Sequence, residues 1–213
     1  MTSLRLVKRK QLWVPTLWGW MLLLFAMFLM VTGYMRNIHS FLGVSEPVQA
    51  QILAVEEWIP PHALDSAASE FKDHGYSLLV VLGDERRWVV PTLKREGVDE
   101  KQIVKIPSWP VRKDRTFAMA VALRDWLPAS GMSGKAINVY TLGVHARRSC
   151  LLFREALGPE YVVGVISCED PDYDPNRWWE SSEGFKTVID ETLAYIYTKL
   201  FFFPANRAVN SEQ

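Results

Sequence analysis

The chain has 213 residues, nine tryptophans, two cysteines and a formal net charge of zero. That length suits one globular domain plus an appendage. The zero conceals an asymmetry. The first 36 residues hold five basic side chains (Arg5, Lys8, Arg9, Lys10, Arg36) and no acidic one, which leaves −5 for the rest. An acidic main domain lacks the basic footprint that nucleic-acid binding requires, so no nucleic-acid partner is expected.

No charge occurs from Gln11 to Met35. About 20 apolar residues span a bilayer as a helix, so a transmembrane helix is predicted over residues 14–34. Trp13, Trp18, Trp20 and Tyr34 lie toward its ends, as interface aromatics do. The basic cluster precedes the span. The positive-inside rule then places residues 1–13 in the cytoplasm and the main domain outside it, as in a single-pass signal anchor of an inner membrane. The alternative, a cleaved signal peptide, has a shorter apolar region than this one.

Residues 35–48 read as a linker and residues 49–203 as the domain, with 204–213 as a disordered tail. Within the domain, strand-type and helix-type segments alternate. Ala50 to Val55 is an apolar run, and Pro60-Pro61 opens a helix with Leu64, Ala67, Ala68 and Phe71 on one face. Ser77 to Leu82 is a second strand, ended by Gly83-Asp84, and a short helix follows over Trp88 to Glu96. Gln102 to Ile106 is the third strand. Asp114 is placed to cap a helix from Arg115 to Leu127, with Ala118, Val121, Ala122 and Trp126 inward. Ile137 to Leu142 is the fourth strand. It turns at Gly143 into a helix with Ala146, Cys150, Phe153 and Leu157 on one face.

Tyr161 to Ile166 is the fifth strand. A polar loop, residues 169–175, leads to a last helix from Ser182 to Phe202, with Val188, Ile189, Leu193, Ile196, Tyr197 and Leu200 as its apolar stripe. This alternation predicts an α/β fold: a Rossmann-like three-layer sandwich with a mainly parallel five-stranded sheet, preceded by one transmembrane helix. Cys150 and Cys168 fall near one edge of such a sheet, so a bridge between them is a question of Cα separation.

In a parallel α/β sheet ligands bind beyond the C-terminal strand ends. Glu56, Glu57 and Trp58 follow the first strand and Asp84 the second. Asp114 and Thr116 follow the third, His145, Arg147 and Arg148 the fourth, and Asp172 the fifth. The helix N-terminus after the fourth strand favours an anion. Glu56 or His145 is the expected acid–base group. Trp58, Asp84, Asp114, Thr116, Arg147, Arg148 and Asp172 are the expected ligand-binding residues. Several have plainer readings: Asp84 and Asp172 as turn residues, Asp114 as a cap. Arg147 and Arg148 cannot share one direction on a helix. No Walker loop, Gly-x-Gly-x-x-Gly, zinc spacing or nucleophile elbow is present, so no cofactor and no metal is assigned.

Three segments occur in this order: Leu-Ala-Val-Glu-Glu-Trp-Ile-Pro from Leu53, Asp-Arg-Thr-Phe-Ala from Asp114, and Thr-Leu-Gly-Val-His-Ala-Arg-Arg from Thr141. Together they resemble the motifs of the ElyC/SanA/YdcF family, over about residues 50–200. The resemblance implies a Rossmann-like domain, often on one N-terminal membrane helix, and a role in bacterial cell-envelope biogenesis in the periplasm. The family's acidic residue falls on Glu56, its Thr on Thr116, and its His and Arg on His145 and Arg148. The chain differs from that pattern at Glu57, where relatives often carry glycine, and after the second strand, where Gly83 stands instead of a glycine-rich loop. Two functions compete: an envelope enzyme acting on a phosphorylated or glycan-linked anionic ligand, and a non-catalytic binding or scaffold module.

Overall fold

The computed structural model describes residues 14–83, 86–108, 114–132 and 134–202. Among the expectations, the cytoplasmic N-terminus, Asp84 and the C-terminal tail lie outside these residues. The chain divides into two compact units between Asn37 and Ile38.

The first unit is helical. Helix α1 spans Leu17–Leu42, and it is long and apolar enough to cross a membrane. Its side chains from Leu17 to Val31 are almost all exposed, because apolar residues run all round the helix rather than along one stripe. The last turn of α1 belongs to the second unit, so the helix runs on into the region read as a linker. It ends where Gly43 N–H donates to the His39 carbonyl at 2.7 Å.

The second unit is the α/β domain. Its strands are β1 (Ile52–Glu56), β2 (Leu78–Leu82), β3 (Ile103–Ile106), β4 (Ala136–Leu142) and β5 (Val162–Cys168). They form one all-parallel sheet in the order β3-β2-β1-β4-β5. The helices are α2 (Pro61–Asp73), α3 (Val89–Arg95), α4 (Arg115–Trp126), α5 (Ala146–Leu157) and α6 (Ser182–Phe201).

Successive strand side chains point to opposite faces. Ile52, Ala54, Val80, Ile137 and Val139 face α4 and α5. Leu53, Val55, Leu79, Val81 and Tyr140 face α2 and α3. Both faces are therefore covered, which is why the strands read as continuous apolar runs instead of alternating ones. The chain leaves β1 toward α2 on one face and β4 toward α5 on the other. Neighbouring connections that part in this way open a crevice beyond the strand ends.

Two helix faces differ from the sequence expectation. In α4 the buried residues are Thr116, Met119, Ala120 and Leu123, not Ala118, Val121, Ala122 and Trp126, which are only half-buried. Val121, Ala122 and Trp126 still pack against the core from its margin, but the helix is apolar over much of its circumference, so periodicity alone did not pick out the fully buried sector. In α6 only Val188 of the expected stripe is buried, while Leu193, Ile196, Tyr197 and Leu200 are exposed. The helix instead turns Gly184, Val188 and Thr198 inward. Cys150 and Cys168 are both free. Cys150 packs in the α4/α5 core and Cys168 against the α2/α3 core, so the sheet separates them.

Residues after α1 are tied to the sheet. Glu46 forms an antiparallel bridge with Val165. The buried Asn138 side chain accepts from Val48 N–H at 2.9 Å and donates to the Val48 carbonyl at 2.8 Å and to Tyr76 Oη at 2.7 Å. Gly164 stands opposite on β5. A Cβ there would lie 2.2 Å from Asn138 Oδ1, so the position admits only glycine while Asn138 keeps this pose. Replacing Asn138 by Ala strips three polar groups of a partner. The expected cost is about 2 kcal/mol. Thermal unfolding of the full chain in detergent, followed by near-UV circular dichroism, should then fall by roughly 6 °C.

Candidate functional site

The site forms where β4 ends. Gly143, at φ +50°, starts a single 3₁₀ turn, Gly143–His145, that delivers the chain into α5. The left-handed backbone there suits glycine. His145 thus stands at the N-cap of α5, beside the β1/β4 switch point. The N-termini of α4 and α5 both lack a side-chain cap hydrogen bond.

His145 is held on both nitrogens. Its Nδ1 lies 2.6 Å from Glu191 Oε1 on α6, and its Nε2 lies 3.5 Å from Thr116 Oγ1 in the first turn of α4. The Trp58 ring meets the imidazole edge-on, with centroids 4.8 Å apart at 71°. One helical turn on, Arg148 clamps the same carboxylate through two bonds, Nε to Oε2 at 2.8 Å and Nη2 to Oε1 at 2.7 Å. Arg148 Nη2 also lies 2.9 Å from His145 Nδ1. A guanidinium carries only donors. With Nδ1–H directed at Glu191, this last approach is a packing contact, and the Nε2 lone pair faces both Arg148 Nη2 at 3.2 Å and Thr116 Oγ1.

Glu191 is strongly biased toward its charged form. Burial pushes its carboxyl up, but hydrogen bonds from Arg148 and His145, with their charges, outweigh this and hold it at about 2. The side chains of His145 and Glu191 are only 15% and 14% exposed, so solvent screens the pair weakly.

The other expected residues are placed differently. Glu56 ends β1, fully buried, and accepts from Ser149 Oγ at 3.1 and 3.3 Å. Ser149 sits one turn after His145, so Glu56 underlies the site. Its carboxylate is met by a serine hydroxyl, while Arg148 binds Glu191. Asp114 precedes α4 in the left-handed region, at φ 55° and ψ 38°, and its side chain makes no cap bond. Asp tolerates this region better than most residues do.

Arg147 points away from His145. Its Nε donates to the Phe41 carbonyl in the last turn of α1, and its guanidinium lies 4.1 Å from the Phe41 ring centroid. It satisfies a C-terminal helix carbonyl, a usual task for a basic side chain. Asp172 is exposed in the loop after β5, where its N–H donates to Asp170 Oδ1 at 3.1 Å. Of the expected set, the structure brings together Trp58, Thr116, His145 and Arg148, with Glu56 beneath.

Glu57 and Gly83 prove to be one feature. Glu57 is buried and accepts from Arg86 N–H at 3.3 Å. A Cβ at Gly83, where φ is +133°, would lie 2.3 Å from Glu57 Cδ. The carboxylate side chain occupies the space above the second strand's exit, and the glycine makes room for it.

Sequence reasoning missed Glu191 and Ser149. The available signal for Glu191 was its place among Val188, Tyr195 and Thr198 on one helical sector. A carboxylate there needs a cationic partner. Among the described residues no group of three or more His, Cys, Asp or Glu is placed to hold a metal ion. An open cleft of about 690 Å³ lies instead by Tyr140, Cys168 and Tyr173. No family model, curated protein or solved structure matches the chain.

Chemically, the Glu191–His145–Thr116 line can orient an imidazole and direct its Nε2 at a hydroxyl or a bound water. Glu191 has a lowered folded pKa, so its contribution to stability is present above the ordinary carboxylate value and lost as pH falls toward about 2. The shift corresponds to about 3 kcal/mol between those limits. Acid titration of stability should show this loss between about pH 4.5 and 2. A Glu191→Gln chain should lack that share of the pH dependence and be less stable than the parent at neutral pH.

Proposed function

We propose that this chain is a membrane-anchored α/β protein of the ElyC/SanA/YdcF type, acting in bacterial cell-envelope biogenesis on a phosphorylated or glycan-linked anionic ligand. The observation that carries the reading is His145. It stands beyond β4 at the switch point, oriented by Glu191 and facing Thr116, with the Trp58 ring at its side. His145 acts as the acid–base group and Trp58 offers an apolar wall for a sugar or lipid-linked portion. The first turn of α4, which lacks a side-chain cap bond, supplies backbone N–H groups to an anion. Arg148 is shared: a ligand anion competes with Glu191 for its guanidinium.

The anchor is α1. The basic residues before it and the acidic balance after it support a single pass in the inner membrane, with the domain on the periplasmic side. A C-terminal fusion to alkaline phosphatase, which is active only after export, should give activity, and a cytoplasm-dependent reporter at the same position should not. The reverse result removes the periplasmic placement.

A second reading is a non-catalytic envelope scaffold. The internal pairing of Glu56 with Ser149 and of Arg148 with Glu191 favours it, since these charges are already satisfied within the protein. Full-length chain in detergent, tested against inorganic phosphate, sugar phosphates and glycan fragments for binding and turnover, separates the two. Under the enzyme reading His145→Ala lowers turnover by about 10²–10⁴. Thr116→Val also lowers it and Arg147→Ala leaves it near the parent value. Absence of binding and turnover with every probe favours the scaffold.

A further inference from the structure

Helix α6 is apolar on two opposite sides. Its inner sector (Gly184, Val188, Thr198) packs on the domain, with Glu191 in the site. At 100° per residue, Phe185, Ile196, Leu200, Leu193 and Tyr197 fall within one sector about 120° wide on the other side. These five side chains are 50, 44, 58, 61 and 47% exposed, respectively. The stripe runs about 22 Å along the helix. Lys186 and Lys199 are exposed on the same helix. A contiguous apolar surface of this size is uncommon on a soluble domain and marks a contact.

The position of α6 in the domain indicates what covers it. The Tyr195 ring of α6 packs edge-on against Phe41, 5.4 Å between centroids. Phe41 lies in the last turn of α1, seven residues after Tyr34, where the apolar span ends. Even fully extended, those residues reach no farther than about 25 Å. Phe41, and Tyr195 in contact with it, are therefore within that chain length of the end of the apolar span. Its composition of Leu, Ile, Phe and Tyr, with Lys199 at one edge of the sector and Lys186 near its N-terminal end, matches helices that lie in a membrane interface, the aromatic and aliphatic groups below the headgroups and the lysines among them.

We infer that the outer face of α6 lies on the phospholipid surface of the membrane that α1 anchors, so that the site gripped by Glu191 on the same helix is presented at that surface. This rests on the anchor reading above. It also narrows the ligand class: a substrate bearing an anionic group on a lipid tail reaches such a site by lateral diffusion.

The test uses full-length chain in vesicles of phosphatidylethanolamine and phosphatidylglycerol, in a Cys168→Ser background with Cys150 left buried. Nitroxide labels are placed at Leu193→Cys, at Leu200→Cys and, within the span, at Leu24→Cys. Collision rates with molecular oxygen and with a water-soluble nickel chelate are read by paramagnetic resonance. The expected result is an oxygen-to-nickel ratio several-fold higher at Leu193 and Leu200 than for the same labels in unfolded chain, with a lipid-type ratio at Leu24. A lipid-type Leu24 with aqueous Leu193 and Leu200 overturns the inference and leaves the anchor standing. An aqueous Leu24 overturns the anchor reading itself. Dipolar broadening at Leu193 shows a second copy covering the face and also overturns the inference.

Discussion

One carboxylate ties the described site together. Glu191 takes a hydrogen bond from His145 and two from Arg148, and it does so from a different helix. The bond fixes the imidazole tautomer and docks α6 against α5. It also neutralises an arginine that would otherwise stand bare beside the switch point. Charge-assisted bonds of this kind, weakly screened by solvent, are among the stronger polar interactions in a fold. Their strength depends on both partners staying in place, because a single partner left buried is costly.

Elsewhere, large polar side chains are accommodated by glycines far away in sequence. Glu57 fits because residue 83 has no Cβ, and Asn138 fits because residue 164 has none. The first pair closes the space above the second strand. The second lets Asn138 bond both backbone groups of Val48, tying the segment after α1 to the sheet. Each is a local concession that a distant side chain requires.

The two sides of α6 link the site to its surroundings. The inner side places Glu191 under His145, and the outer side carries exposed leucine, isoleucine and aromatic groups. Any force on the outer side bears on the same rigid helix that orients the imidazole. Arg147 has a comparable position on α5, since it binds the end of α1 while Arg148 binds Glu191. Two adjacent arginines thus connect α5 to the last turn of α1 and to the site.

The sequence alone determined the architecture, because the strands are apolar throughout and the helices carry clear start and stop residues. It also located the site edge: a histidine directly after a strand and Gly143 can stand nowhere but at the C-terminal end of a parallel sheet. Facing within helices was decided by tertiary structure. α4 and α6 are apolar over more than one sector, so periodicity could not say which sector met the core. Charge pairing was likewise undetermined. Glu56 and Glu191 are both acidic residues compatible with Arg148, and only the docking of α6 gave the arginine to Glu191 and left Glu56 to Ser149. A pairing between residues 43 positions apart depends on how whole helices pack, and no local pattern carries that information.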